Sequence, residues 1–446
     1  MTEKICVLGL GHAGLPTALS FAEMGWNVVG VDNDVSKVRL LQSGDAPFHE
    51  PGVDKLLRTH LENGNFIVTD DASQAIRSSG IVIVCVGTPQ SDNGSTDLSF
   101  LKSAVDTVAN NIRGYTLVVE KSTVPPGTAQ DIVKPRLDTC GQEGELYDLV
   151  VNPEFLREGA AIFDCLHPER LVFGVNSARA EQTLRELYQP ILSEKHGNGH
   201  DSPSVIVTNW TTAELIKQAS NAFLATKISF INMMADICDI AGANVLHLAE
   251  GLGSDRRINP HYLSAGMGFG GQCLPKDLRS LAAYGRDHGV DVAMLESVDG
   301  VNISRMDKII NQLSVLIGDI SERKIAVWGL SFKPGTDDVA EAPSIGVISR
   351  LLDNGADVRM YDPAAGSTFL EKFPTSDNNI RLCNSSTEAV QGVDALVILT
   401  DWEEFVEFDL DLLMSSMESP VIVDGRNCMD SSQMLDRGFI YSGFGL

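Results

Sequence analysis

Lys4-Ile5-Cys6-Val7-Leu8-Gly9-Leu10-Gly11-His12-Ala13-Gly14 is the stretch that decides the fold. A short apolar run leads into three glycines spaced G-x-G-x-x-G, and a helix-like segment, Leu15–Met24, follows at once. A second apolar run, Asn27–Val31, ends on Asp32, 23 residues after Gly9. In that setting the glycines permit a tight turn and bring a pyrophosphate to the N-terminus of the helix, while the acid accepts from ribose hydroxyls. The stretch therefore predicts dinucleotide binding by Gly9, Gly11 and Gly14, with Asp32 on the ribose. Asp32 and the nearby Asp34 would repel a 2′-phosphate, which favours NAD over NADP. Lys37 works against that preference.

Outward from this stretch, apolar runs recur at Ile81–Val86, Leu117–Val119, Leu149–Val151, Leu171–Val175 and Val205–Val207, with helical segments between them. Continuous β-branched runs alternating with helices describe a parallel sheet covered on both faces. From Thr211 to about Ala249 the period changes, and Thr212-Ala213-Glu214-Leu215 reads as the start of a long helix with apolar residues at helical spacing through Ile237. Its Met- and Phe-bearing face suits a dimer. After about Asp307 the α/β rhythm returns, with strands at Lys324–Trp328, Val358–Tyr361 (followed by Asp362-Pro363), Ala395–Thr400 and Val421–Asp424. This second unit has Gly329 and Gly335 but no G-x-G-x-x-G, as for the same architecture adapted to another ligand. The fold class is α/β: two Rossmann-like, doubly wound parallel-sheet domains joined by a long central helix. The expected division is 1–208 for the cofactor, 209–306 for a central helical dimerisation domain with the cysteine loop, and 307–446 for a second ligand. Gly197–Pro203 reads as a surface loop.

Composition sets the outer bounds. With 34 basic and 60 acidic side chains the net charge is −26, which excludes a general nucleic-acid partner. An anionic ligand stays open, because backbone N–H groups and a few local cations suffice to bind one. The eight cysteines are scattered, with no C-x-x-C and no His/Cys cluster at zinc spacing, so no metal is expected. Cys6 and Cys85 lie in apolar runs and read as small buried hydrophobes. Residues 1–4 enter a strand directly, and no apolar window reaches membrane-spanning length. The expectation is a cytoplasmic chain with reduced thiols and no membrane partner.

Chemistry concentrates in Gly268-Phe269-Gly270-Gly271-Gln272-Cys273-Leu274-Pro275-Lys276-Asp277. The glycines expose backbone, and no apolar core would want Lys276 and Asp277, so Cys273 reads as a reactive thiol rather than a packed one. A thiolate that attacks an aldehyde forms a thiohemiacetal, and loss of its hydride to NAD leaves a thioester. Lys217 and Asn221, four apart, share a helix face and are suited to stabilising an oxyanion. Taken alone, a lysine such as Lys217 is more often part of a solvated face. Glu154 and Glu158, in Asn152-Pro153-Glu154-Phe155-Leu156-Arg157-Glu158, would share a face if that turn is helical. Their plain alternative is the acidic first turn of a helix.

These motifs, in their order and spacing, resemble the nucleotide-sugar 6-dehydrogenases of the UDP-glucose/GDP-mannose dehydrogenase family along the whole chain. The resemblance rests on Gly9 to Pro16, Glu50-Pro51-Gly52, Val86-Gly87-Thr88-Pro89, Glu120-Lys121-Ser122-Thr123-Val124-Pro125, residues 152–159, the Lys217/Asn221 helix, the Cys273 stretch and Gly329 to Pro334. It implies oxidation of a sugar C6 alcohol to a carboxylate in two hydride steps with two NAD. It implies Cys273 as nucleophile, Lys217 and Asn221 as oxyanion stabilisers, Asp277 and Thr123 assisting through a water, and Glu154 in thioester hydrolysis. On the cofactor side it adds His12, Ala13, Lys37, Gly87, Thr88, Thr123, Glu158 and Lys276. On the nucleotide-sugar it places Glu154, Phe155, Leu156, Arg157, Lys217, Asn221, Arg257, Tyr262, Phe269, Gly270, Phe332, Lys333 and Arg426. A homodimer, with Arg257 reaching the neighbouring site, is similarly implied.

Two departures stand out: His12 and Ala13 where the family more often has Tyr and Val, and Ala340 where an arginine is usual. His167-Pro168-Glu169-Arg170 is closer to the UDP-glucose pattern, which makes UDP-glucose the expected substrate, UDP-glucuronate the product and GDP-mannose the alternative. Relatives acting on UDP-N-acetylmannosamine differ around residues 152–159 and are disfavoured. The remaining rivals are a single-step hydroxyacid dehydrogenase, which needs no cysteine, and a silent nucleotide-sugar binder.

Overall fold

Eight strands make the first sheet: β1 (Lys4–Leu8), β2 (Asn27–Val31), β3 (Phe66–Thr69), β4 (Ile81–Val84), β5 (Thr116–Glu120), β6 (Tyr147–Val151), β7 (Arg170–Val175) and β8 (Ser204–Thr208). Their order is 3-2-1-4-5-6-7-8. The first six follow the doubly wound dinucleotide-binding order, whose reversal between β1 and β4 leaves a crevice beyond the strand ends. Gly9–Gly14 continues from the carboxyl end of β1, at that reversal. Alternation along β1 explains the two covered faces: Ile5 and Val7 join one apolar cluster with Leu15 and Leu19, while Cys6 and Leu8 join another with Leu101 and Val105.

The computed structural model describes residues 4–91, 93–193, 202–373 and 379–446. It divides into two units, Met1–Ser220 and Asn221–Leu446. Residues 197–201 of the expected surface loop lie outside the described residues.

The second unit builds β9 (Lys324–Trp328), β10 (Asp357–Tyr361), β11 (Ile380–Leu382), β12 (Ala395–Ile398), β13 (Val421–Asp424) and β14 (Ile440–Ser442) in the order 11-10-9-12-13-14. The pattern is that of the first six strands again, and the turn after the first strand repeats too. Gly9 and Gly329 have φ of +92° and +94°. Leu10 N donates to Asp32 at 2.9 Å, and Leu330 N donates to Asp362 at 2.7 Å. A missing G-x-G-x-x-G thus hides a conserved geometry: one left-handed glycine closed by the acid beyond the second strand.

Three points depart from the sequence reading. β7 pairs with β6 antiparallel, so β7 and β8 run against the six strands before them. An apolar run encodes burial and carries no direction. The edge strands β3, β11 and β14 were absent from the expectation because runs of three or four residues give too short a period to read. The long helix spans Trp210–Ala241 and stops, and a second helix covers Val245–Gly253. Gly242 takes φ +67°, and Asn244 caps the new helix by accepting from Leu246 N and His247 N. Among the described residues no helix is long and apolar enough to cross a membrane.

Candidate active site

In the first unit, the glycine loop shows where a dinucleotide fits. A side chain at Gly9 or Gly14 would collide with backbone, coming within 2.4 Å of the Cys85 carbonyl oxygen and 1.9 Å of the Gly9 carbonyl oxygen respectively. A side chain at Gly11 would meet nothing within 4 Å. The loop is therefore closed below and open at its middle glycine, the position a pyrophosphate approaches. The buried Asp32 carboxylate accepts from Leu10 N, from Asp34 N at 3.0 Å and from Lys37 Nζ at 3.0 Å. Three of about four acceptor positions are used, which leaves one for a ribose hydroxyl. Asp34 instead caps the next helix through Ser36 N and Lys37 N. His12 stacks on Phe48 with ring centres 4.1 Å apart. Thr88 Oγ1 donates to the Thr123 carbonyl at 2.8 Å and Ser122 Oγ to the Val86 carbonyl at 2.8 Å, pinning the loops after β4 and β5 together.

Residues 152–157, between β6 and the following turn, are not helical, so Glu154 and Glu158 do not share a helix face as the conditional reading had it. Pro153 removes a donor here. Glu154 Oε2 accepts from Leu156 N at 2.6 Å, and Oε1 lies 3.0 Å from Lys217 Nζ. Burial pushes the Glu154 carboxyl up, but Lys217, the Leu156 amide and Lys121 outweigh it and hold the group below the usual range. The Arg170 guanidinium covers the Phe155 ring at 4.0 Å. Arg157 is turned back on its own loop, with Nε and Nη2 on Asp164 at 2.9 and 2.6 Å. Glu50, read only as part of a motif, is buried and accepts from Gly159 N and Ala161 N, closing this turn from the other side.

In the second unit, Cys273 is exposed and is the first residue of the helix Cys273–Asp287. Unpaired amides at a helix start favour a thiolate. Cys6 and Cys85 contrast with it, since burial pushes both thiols up to about 12. One turn along the same helix, buried Asp277 accepts from Asn221 Nδ2 at 2.6 Å, and its other oxygen lies 2.8 Å from Lys276 Nζ. Asn221 follows Lys217 by one turn of the long helix, so the pairing orients the amide beside the cysteine helix.

The glycines before Cys273 are required by close approach. A side chain at Gly270 would come within 2.6 Å of the Glu341 carbonyl oxygen, and one at Gly271 within 2.9 Å of the Phe332 ring. Gly271 N donates to the Ala340 carbonyl at 2.8 Å, a backbone bond that does not depend on the side chain at 340. Phe269 is buried and Lys333 Nζ lies 5.5 Å from the Phe332 ring centre. Arg426 donates to three backbone carbonyls: Leu399 at 2.7 Å, Gly268 at 3.2 Å and Phe332 at 2.9 Å. Tyr262 sits at φ +64°, and Arg257, 89% exposed, pairs with Asp255 at 2.6 Å. Sequence reasoning missed Asn302, whose side chain bonds the Phe269 backbone, because a single polar residue inside an apolar helical period carries no spacing signal.

The arrangement offers a dinucleotide turn, an ionised carboxylate with a lysine partner, and an exposed thiol backed by an amide and a carboxylate. Family models of the UDP-glucose/GDP-mannose dehydrogenase family match three stretches: the NAD binding domain over residues 3–192, the central domain over 211–304 and the UDP binding domain over 326–431. The UDP-glucose 6-dehydrogenase TuaD of Bacillus subtilis is 40% identical, over 99% of this chain and 93% of its own. The UDP-glucose 6-dehydrogenase of Pseudomonas aeruginosa is 38% identical over 99% and 97%. Among solved structures, a UDP-glucose dehydrogenase from Pyrobaculum islandicum superposes with a TM-score of 0.90 at 33% identity, covering 100% of this chain and 98% of that one.

Proposed function

The chain belongs to the UDP-glucose/GDP-mannose dehydrogenase family, and from that membership we propose that it oxidises UDP-glucose to UDP-glucuronate in two NAD-dependent steps. Gly9, Gly11, Gly14 and Asp32 would hold the NAD, and the open space at Gly11 supports this. When bound, NAD would accept the hydride from the C6 carbon in each oxidation, and the C6 hydroxyl proton of the first passes to the water that Thr123 and Asp277 hold. The observation that carries the reading is an exposed thiol at a helix start with the Asn221–Asp277 pair one turn behind it.

Cys273 forms a C–S bond to the aldehyde carbon of the first oxidation, and the carbonyl electrons move to oxygen. The Asn221 amide and the Lys217 ammonium stabilise that oxyanion. After the second oxidation the thioester is cleaved by water: Glu154, ionised, takes the water proton, oxygen bonds to carbon, and the sulfur leaves as thiolate. Thr123 and Asp277 hold that water. Phe155, Leu156, Phe269 and Gly270 contact the sugar, and Phe332 and Lys333 the nucleotide.

We assign three functional parts, 1–208, 209–306 and 307–446, and a homodimer formed through the long helix. Phe223, Phe230, Met233, Ile237 and Ile240 are exposed and recur at the seven-, three- and four-residue steps of a two-helix seam. A cytoplasmic setting keeps the exposed Cys273 thiol reduced.

The test is purified protein with UDP-glucose, GDP-mannose and N-acetylated relatives. UDP-glucose is expected to yield two NADH per sugar and UDP-glucuronate, and Cys273→Ser to bind the sugar without forming acid. One NADH per sugar, or normal turnover by Cys273→Ser, would overturn the thioester reading.

A further inference from the structure

Asn302 lies within the helix Ala293–Ile317. Its side-chain amide closes a two-way bridge with the backbone of Phe269: Phe269 N donates to Oδ1 at 2.8 Å, and Nδ2 donates to the Phe269 carbonyl at 2.9 Å. One side chain thus satisfies both polar backbone groups of a residue in an irregular loop. The fit is close. A side chain on Gly268, whose φ is +87°, would come within 2.1 Å of Asn302 Oδ1.

Phe269 is anchored at its other end as well, since its ring packs in a buried cluster with Ala222, Ala225, Leu278 and Val298. Ala222 follows Asn221 on the long helix, and Leu278 follows Asp277 on the cysteine helix. From this fixed point only Gly270, Gly271 and Gln272 lead to Cys273. Gly270 and Gly271 are themselves closely packed, and Gly271 N donates to the Ala340 carbonyl at 2.8 Å, so little freedom is left between Phe269 and the cysteine. A bridge that fixes Phe269 therefore limits where the chain can deliver the first residue of the helix.

We propose that Asn302 is a positioning residue for Cys273: its amide bridge to the Phe269 backbone sets the loop that carries the thiol. The proposal rests on the reading of Cys273 as nucleophile. It assigns Asn302 no contact with substrate or cofactor. A displacement of about 1 Å in a reacting group lowers turnover by about 100-fold, so the effect belongs in kcat and in the behaviour of the thiol itself.

The test compares wild type with Asn302→Ala and Asn302→Asp. Asn302→Asp keeps the acceptor for Phe269 N and sets a carboxylate oxygen against the Phe269 carbonyl. The readouts are the rate of Cys273 alkylation by iodoacetamide across pH, located by peptide mass spectrometry, and steady-state kinetics with UDP-glucose. The thermal midpoint checks folding. Both variants are expected to lose about 10- to 100-fold in kcat, to keep the wild-type KM for NAD, and to alkylate with an altered rate and pH midpoint. Wild-type alkylation and kcat in a folded Asn302→Ala would overturn the proposal, as would a loss that only tracks the unfolded fraction. The alkylation arm needs no turnover, so it reports on Asn302 even if Cys273→Ser proves active and the nucleophile reading falls.

Discussion

Lys217 Nζ lies 3.0 Å from Glu154 Oε1, and both side chains are buried. Neither group acts alone: the lysine offsets the burial of the carboxylate, and the carboxylate offsets the burial of the lysine. The proposed base and the proposed oxyanion stabiliser are therefore one electrostatic unit.

Replacing Lys217 with Met removes the strongest influence holding the Glu154 carboxyl down and leaves the burial that pushes it up. The carboxyl then keeps its proton to higher pH, and a protonated Glu154 takes no proton from water. The acid limb of the kcat–pH profile is expected to move to higher pH, and kcat at its plateau to fall by about 100- to 1,000-fold from the lost oxyanion donor. Profiles of wild type and variant with UDP-glucose decide it. An unmoved acid limb would separate Glu154 from the rate.

Asp32 and Lys37 form a second opposed pair, 3.0 Å apart at the ribose end of the glycine loop. Lys37→Ala leaves the Asp32 charge bare, which sharpens repulsion of a 2′-phosphate. The ratio of kcat/KM for NAD over NADP is expected to rise in Lys37→Ala and to fall in Asp32→Ala. Asp32→Ala also weakens NAD itself, through the lost ribose acceptor and the lost Leu10 bond. Unchanged ratios in both variants would show that neither side chain faces the ribose.

What could be read from residues alone follows from what each signal physically is. Central strands such as Ile81–Val84 are runs buried on both faces and announce themselves. The glycine turn, Asp32 and Cys273 stand out because they contradict their surroundings: bare backbone, charge or thiol where a core would place apolar bulk. Direction of β7 and the three short edge strands have no such local imprint. Arg426 marks the boundary between the two cases. The resemblance implies a nucleotide contact for it, and in the structure its guanidinium also donates to carbonyls of Leu399, Gly268 and Phe332. A single residue type does not reveal its partners when they lie in loops far away in sequence.

For Arg426 the consequence is measurable. Lysine offers one compact ammonium in place of a rigid planar fork and cannot reach three divergent carbonyls at once. Arg426→Lys is expected to lose about 2–4 kcal/mol of stability, at about 1–3 kcal/mol for each buried group left unpaired. Urea unfolding checks it. Unchanged stability with a raised KM for UDP-glucose would return Arg426 to the nucleotide-contact role instead.

The last prediction concerns two buried carboxyls that the proposed chemistry does not use. Glu214, the fifth residue of the long helix, accepts from Gly127 N at 2.5 Å and Ala129 N at 2.7 Å. Glu120, at the end of β5, is buried, and among the described residues neither of its carboxyl oxygens has a hydrogen-bond partner. Burial and the neighbouring Glu214 push the Glu120 carboxyl well above its ordinary 4.5. Burial, with Asp131 nearby, pushes Glu214 up to about 7. Both shifts are upward, so the folded state binds more protons than the unfolded chain above the ordinary carboxylate range. The stability each contributes is complete below about 4.5; that of Glu214 is lost as pH rises through about 7, and that of Glu120 as pH rises through its own raised value. Glu120→Gln removes one ionisable partner. The variant is expected to match wild type at about pH 4.5 and to melt progressively higher than wild type as pH rises into the alkaline range. If the two melting curves keep a constant separation across that range, Glu120 does not titrate with folding and the like-charge conflict is absent.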